Sequence, residues 1–398
     1  MTKAERKLID FIHAHLPLLA VLCFTALALL ARLTGRFVVT VDYTRFLSGW
    51  YEAIAAAPFG KLVGNYTTPY MTAMFVMTRL SFLSPMTAIK LFSILFDFLL
   101  ALVSGSLVKL LTGSKNKAAV SYCIILMMPT VITNSAYWGQ CDAILAFLIV
   151  SFFLLFLKRK YLPAFVVYGL AMSFKLQAIF FLPYIITAYF RRKDFSLLHF
   201  LIIPAMLVLT ALPYTVAAGV SPLYNFNIFL GLSGDHTSLS LFSPGFAQLL
   251  LAQTSLWFDL CMLLAVGVLG FGLWRSLVMG MKKPASDFDE LQQLTWFGWA
   301  AVLFMPAMHD RYGFVCGILL VLCAICQPTQ RRIALAAITE AVYMRVYVEY
   351  FYICTHLDQW AIFENEQVIL SVVLLVAFLV FSCTVFSHAK EPQTTLEE

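Results

Sequence analysis

The sequence predicts an all-α polytopic membrane protein with about 12 transmembrane helices. Three observations predict it. The 398 residues are 61% hydrophobic and only 12% charged, whereas soluble domains carry roughly 25% charged residues. Mean hydropathy is +0.86, and several runs reach the ~18–20 apolar residues that cross a bilayer as a helix. The Lys and Arg residues fall in short clusters between those runs, as they do in cytoplasmic loops. The alternating pattern of a membrane barrel is absent.

Each element follows from that frame. Lys3, Arg6 and Lys7 precede the first apolar run and set the N-terminus in the cytoplasm. The first span covers about 16–33. It stays as an anchor, because no small-residue cleavage site follows it. The clusters Lys115/Lys117, Lys158/Arg159/Lys160, Arg191/Arg192/Lys193, Lys282/Lys283 and Arg331/Arg332 then share the cytoplasmic side. Two apolar stretches, 66–83 and 86–111, lie before Lys115, and if both crossed, every later cluster would be inverted. The longer one crosses. Residues 36–85 therefore form a long first outer loop with two membrane-lying helices, "DYTRFLSGWYEAIAAA" and "PYMTAMFVMTRLSFL".

Residues 86–330 form the core spans. Further spans run over 118–133 and 143–157. Between Lys160 and Arg191 the chain goes out and returns as two half-length helices meeting at a polar kink, Lys175 and Gln177; irregular backbone at that depth must line a cavity. Spans at 197–217 and 257–278 follow, then one ending at "FMPAM" and one reaching Cys326. Residues 331–398 supply the last two spans and a short tail, so the C-terminus is also cytoplasmic. With no internal repeat, residues 1–398 read as a single integral membrane domain.

The net charge of +6 lies in loop clusters and does not point to nucleic acid. Nine cysteines, mostly inside apolar runs, suggest no disulfide framework. Cys323 and Cys326 lack the second ligand pair that a zinc site needs, so no metal is expected. Asp42, Asp142, Lys175, His236, His309, Asp310 and Arg311 all fall toward the outer side, where each must face a cavity or a polar partner. Plainer roles exist for several of them. Asp42 and Asp142 stand where helix caps would, and His309–Arg311 could form a solvated loop. Arg345 and Glu349, four apart, could satisfy each other on one helix face. Asp97 has no evident partner, and Asp287-Phe288-Asp289 reads as an incidental D-x-D. Lys175 is the hardest to dismiss, because it interrupts an apolar run.

Three blocks, "NSAYWGQCDAI", "GLAMSFKLQAIFFLP" and "FMPAMHDRYGF", resemble in order those of the bacterial GPI-mannosyltransferase-like membrane proteins. These belong to the GT-C superfamily of polyprenyl-phosphate-sugar-dependent glycosyltransferases. Dolichyl-phosphate glucosyltransferases carry similar blocks. The resemblance runs from Asp42 to about Phe314. It implies a long first outer loop with two membrane-hugging helices and a catalytic acid early in it, which Asp42 of "TVDYTRF" matches. Where relatives show Y-P-P, this chain has Tyr66-Thr67-Thr68-Pro69. Where relatives carry H-E-R-Y, it has His309-Asp310-Arg311-Tyr312.

The resemblance implies inverting transfer of a hexose, mannose or glucose, from a polyprenyl-phosphate donor to an acceptor hydroxyl. The acceptor would be a glycan, a lipid or a protein, and the reaction would run without metal or other cofactor at the outer face of a bacterial plasma membrane. Asp42 would act as base. Arg311, Lys175 and His309 would hold the donor phosphate. Tyr137 and Trp138 would stack on a sugar face, and Gln140 and Asp142 would bond its hydroxyls. Gln177, Tyr66, Asp310 and Tyr312 would complete the sugar and acceptor contacts. The rival class is a transporter or flippase, which a kinked helix with a buried Lys175 also suits. The gathering of polar residues on one face and the lack of a repeat count against it. A non-catalytic scaffold would leave Asp42, Lys175 and Arg311 unexplained.

Overall fold

The computed structural model describes residues 1–235, 239–250, 255–282, 285–355 and 364–386. His236, Lys283 and the C-terminal tail from residue 387 lie outside the described residues. The first helix, α1 (Lys3–Gly35), opens with a capping box in which Thr2 and Glu5 bond each other's backbone. A widened π turn over Tyr43–Leu47 leads into α2 (Ser48–Ala55), and α3 (Thr68–Thr78) follows. These are the two helices expected within 36–85. The next helix, α4 (Pro85–Thr112), starts on the Ser84 cap with proline at its first position and stops at Gly113, whose φ of 68° favours glycine.

Then α5 (Lys115–Met127) breaks at Met128, because a residue before proline is pushed out of the helical region. A short α6 (Pro129–Ile132) and a π turn over Thr133–Trp138 continue it at a bend of 50°. Next come α7 (Asp142–Leu157) and α8 (Tyr161–Phe174). The latter ends at Lys175, which is extended at φ −153°, and a 3-10 turn over Leu176–Phe181 leads into α9 (Leu182–Arg192). The polar kink expected at Lys175 is thus a true break between two short helices. Then follow α10 (Ile202–Ala218), α11 (Tyr224–Asp235), α12 (Ser255–Lys282) and α13 (Asp287–Phe304). The chain closes with α14 (Phe314–Cys326), α15 (Gln330–Thr355) and α16 (Glu364–Phe386). A two-residue parallel pair, β1 (Ser240–Leu241) with β2 (Met308–His309), ties the segment after α11 to the turn after α13.

The expectation of about 12 transmembrane helices is wrong. Among the described residues, five helices are long and apolar enough to cross a membrane: Lys3–Gly35, Pro85–Thr112, Leu197–Ala218, Leu256–Gly280 and Glu366–Phe386. The bent pair Lys115–Met127 with Pro129–Trp138 makes a sixth if it counts as one span. The other apolar runs fold into shorter pieces. At 1.5 Å per residue the 16 residues of α7 reach only about 24 Å, against a hydrocarbon layer of about 30 Å. Hydropathy registers such runs as spans because they are buried on every side by protein rather than by lipid. The cytoplasmic C-terminus was inferred from the alternation of twelve crossings, and that inference falls with the count; the N-terminal side was read from Lys3, Arg6 and Lys7 alone.

The buried centre is made of those short helices. Nearly every side chain of α7, α13 and α14 is enclosed, and large rings such as Phe152, Phe156, Trp296 and Trp299 fill the space between them. Asp289 completes a capping box with Ser286, which gives Asp287-Phe288-Asp289 a local structural role. Cys323 and Cys326 are buried packing residues.

Two buried contacts join α1 to α4. Arg32 donates through Nε to Asp97 at 2.8 Å, and both side chains are almost fully enclosed. Ser135 donates to the same carboxylate oxygen, so Asp97 has the partners that its sequence did not reveal. Lys90 of α4 reaches the backbone oxygens of Gly35 and Val38 at 2.9 and 2.6 Å, which pins the end of α1 beside residue 42. Replacing one member of a buried pair strands the other charge. Asp97→Ala should therefore cost about 3–5 kcal/mol, and Arg32→Met with Asp97→Leu should recover most of that loss. Thermal unfolding of the purified protein in detergent measures both.

Candidate active site

The site begins where the bent helix unwinds. The π turn over Thr133–Trp138 ends at Gly139, whose φ of 80° turns the chain so that Trp138 and Gln140 converge on residue 42. Trp138 donates through Nε1 to Asp42 Oδ2 at 2.8 Å, and Gln140 donates through Nε2 to the same oxygen at 2.7 Å. The Asp42 backbone N–H donates to the Tyr350 hydroxyl at 3.3 Å. Trp138 in turn stacks on Tyr350, with ring centroids 3.7 Å apart and an 18° interplanar angle. Asp42 precedes the π turn over Tyr43–Leu47 but makes no side-chain cap bond there. Its carboxylate is held for something other than capping.

Asp142 opens α7 and likewise makes no cap bond. One oxygen takes the Lys175 ammonium, and the other accepts from Asn134 Nδ2 at 2.9 Å. Lys175 reaches it because the backbone is extended at the break between α8 and the following 3-10 turn. Arg311 lies among three carboxylates. Its Nε is 3.7 Å from Asp142, and its Nη1 is 3.5 Å from Asp310 and 4.0 Å from Asp42. The guanidinium also sits 5.6 Å from the Trp138 ring centroid, within cation–π range. All of these contacts are long, and Arg311 Nε is buried with no hydrogen-bond partner.

These groups surround a cavity of about 760 Å³, within the size range of small-molecule sites. Of the residues singled out in the sequence, Asp42, Tyr66, Gln140, Lys175, Gln177, His309, Asp310, Arg311 and Tyr312 line it. Trp138 and Asp142 stand behind that wall and hold the residues that form it. Tyr137 turns the other way: its hydroxyl meets that of Thr34 at 2.6 Å, against α1. The cavity also brings in Arg45 and Tyr350, which sequence reasoning passed over, and Glu349, which it had read only as a partner for Arg345. Glu349 accepts from Gln367, while Arg345 pairs with Glu366 at 2.5 Å. The four-residue spacing had suggested one pair, and the structure shows two, reaching different partners on α16. Among the described residues no group of three or more His, Cys, Asp or Glu side chains could hold a metal ion.

Fold and site define a helical multi-pass membrane protein with a polar chamber among its short inner helices. The sequence profile of the mannosyltransferase (PIG-M) family matches residues 135–231. That segment starts inside the π turn that ends at Trp138 and takes in Gln140, Asp142 and the Lys175 break. Over it the chain is related to glycosyltransferases. No curated protein matches the chain.

Burial pushes the Asp310 carboxyl up from an ordinary 3.8 to about 7; Arg311 opposes the shift, and the nearby Asp42 and Asp142 add to it. The folded protein therefore holds a proton at Asp310 that the unfolded chain has already lost, so stability falls as pH rises from about 4 toward 7 and levels off above that. Asp310→Asn should flatten the midpoint-versus-pH curve across this window. A thermal-unfolding series at several pH values, wild type against variant, measures the difference.

Proposed function

We propose that the protein is an inverting hexosyltransferase that moves mannose or glucose from a polyprenyl-phosphate donor to an acceptor hydroxyl. The observation that carries this reading is the sharing of one cavity by Asp42 and Arg311, a held carboxylate and a guanidinium with an unmet donor. The match to the mannosyltransferase family over residues 135–231 supports it independently.

In this reading Trp138 and Gln140 fix Asp42 through Oδ2, and Oδ1 takes the proton of the acceptor hydroxyl. The hydroxyl oxygen attacks the anomeric carbon as the bond from that carbon to the phosphate oxygen breaks. The electron pair leaves with the phosphate, and the configuration inverts. Arg311 and Lys175 stabilise the charge that gathers on the leaving group, with His309 beside them. Tyr66, Gln140, Gln177, Asp310 and Tyr312 contact the sugar or acceptor. Trp138 and Asp142 act from behind, by holding Asp42 and by positioning Lys175 and Arg311.

The site faces outward in this reading. The inner helices run between two chemically distinct ends: α7 starts at Asp142 and finishes beside Lys158, and α9 leaves the site and ends at Arg191 and Arg192. Similarly α14 starts just after Arg311 and ends shortly before Arg331. Basic clusters stay on the cytoplasmic side, so the opposite end, with the cavity, meets the cell exterior.

Asp42→Asn should cut transfer from prenyl-phosphate mannose or glucose by about 10²–10⁴-fold while binding of donor persists. Normal turnover by that variant in a purified assay would remove Asp42 as the base. Ser81 is exposed and lies four residues before α4, whose Lys90 reaches the backbone of Val38 just ahead of Asp42. Ser81→Cys should react with an impermeant maleimide added to intact cells, and reaction only after permeabilisation would reverse the orientation.

A further inference from the structure

Among the described residues, Glu349 is the one strongly enclosed carboxylate on the cavity wall that the proposed reaction leaves unused. It lies on α15, beyond the segments that resemble known transferases. Its side chain is 2% exposed, yet it lines the cavity together with Tyr350 and Val346. One oxygen, Oε2, accepts from Gln367 Nε2. The other, Oε1, is buried with no hydrogen-bond partner. A carboxylate oxygen buried without a donor is costly, and a hydroxyl brought into the cavity beside it would meet that need.

The chemistry of that donor can be narrowed. A carboxylate repels phosphate, so Glu349 does not belong to the donor's headgroup, which Arg311 and Lys175 suit. It accepts hydrogen bonds, which fits a neutral hydroxyl. Its neighbour Tyr350 ties it to the base side of the chamber, since the Tyr350 hydroxyl bonds the Asp42 backbone and its ring stacks on Trp138. Gln367 is itself 1% exposed and fixed from α16, so the carboxylate is held in place before any ligand arrives.

We infer that Glu349 forms an acceptor subsite: its Oε1 accepts a hydrogen bond from a second hydroxyl of a polyhydroxylated acceptor, turning the reacting hydroxyl toward Asp42. The acceptor is thus a sugar-like polyol with at least two hydroxyls in reach, rather than an isolated alcohol such as a serine side chain. This rests on the transferase reading above and adds the acceptor class to it.

The test uses the purified full-length protein with radiolabelled prenyl-phosphate mannose and prenyl-phosphate glucose. Transfer to a methyl glycoside and hydrolysis by water are followed in the same tube. Water makes no second contact, so removing the subsite should shift the partition between the two products. In Glu349→Gln the ratio of transfer to hydrolysis should fall about tenfold, the loss of one hydrogen bond to a charged group, and the acceptor KM should rise. Glu349→Asp should recover part of the ratio. A ratio equal to wild type, with both products falling together, would overturn the subsite and leave Glu349 a structural residue. A rise in donor KM with an unchanged acceptor KM would instead assign Glu349 to the donor sugar, which also overturns it. Wild-type protein that neither transfers nor hydrolyses either sugar would overturn the transferase reading itself, an outcome distinct from both.

Discussion

The structure depends on mutual neutralisation of charges that would be intolerable alone. Asp42, Asp142, Lys175, Asp310 and Arg311 meet at one end of a bundle of almost wholly apolar helices. Moving an isolated ion into such surroundings costs several kcal/mol even after relaxation, so each must answer another. Lys175 and Asp142 form the tight contact, and Arg311 is shared loosely among three carboxylates. That asymmetry matters. The tight pair fixes the geometry of the α7 start and the α8 break, while the loosely held guanidinium keeps donor capacity for an incoming anion.

Around this cluster the chain is arranged to bring distant segments to one point. The first loop contributes Asp42, and its position is secured from below by Lys90 on the backbone after α1 and by the Arg32–Asp97 pair. Asp97 also accepts from Ser135, at the start of the turn whose Trp138 holds Asp42. One buried carboxylate in α4 therefore anchors both sides of the Asp42 contact. A lesion there would disturb the chamber without touching its lining.

Much of this was legible in the sequence, for identifiable reasons. A lysine in the middle of an apolar run is expensive, so its helix breaks there, and Lys175 is that break. Helices were expected in the stretches 42–57 and 69–83, and α2 and α3 form nearly there. The polar residues of the "NSAYWGQCDA" and "HDRY" stretches converge as their crowding suggested. The number of crossings was not legible, because hydropathy cannot tell a helix wrapped by lipid from one wrapped by protein, and the most apolar short helices here are the latter. Neighbouring residues also diverged for want of a visible rotation. The π turn sends Trp138 toward Asp42 and Tyr137 toward α1, although both looked alike as rings for stacking. Tyr350 gave no signal and Glu349 only that of a helix-face pair, since their place at the chamber comes from a helix that returns to it some three hundred residues after Asp42.

The brevity of the inner helices has a consequence for access. If the basic end of α7 rests at one surface of the bilayer, its other end stops several ångströms short of the opposite surface, because about 24 Å of helix sits in about 30 Å of hydrocarbon. The chamber is then sunk below the headgroups, at the depth where a lipid's phosphate joins its chain. A ligand carried on a lipid reaches such a chamber by lateral diffusion alone. A water-soluble one has to descend to it, so the entry step selects among ligands before any side chain does.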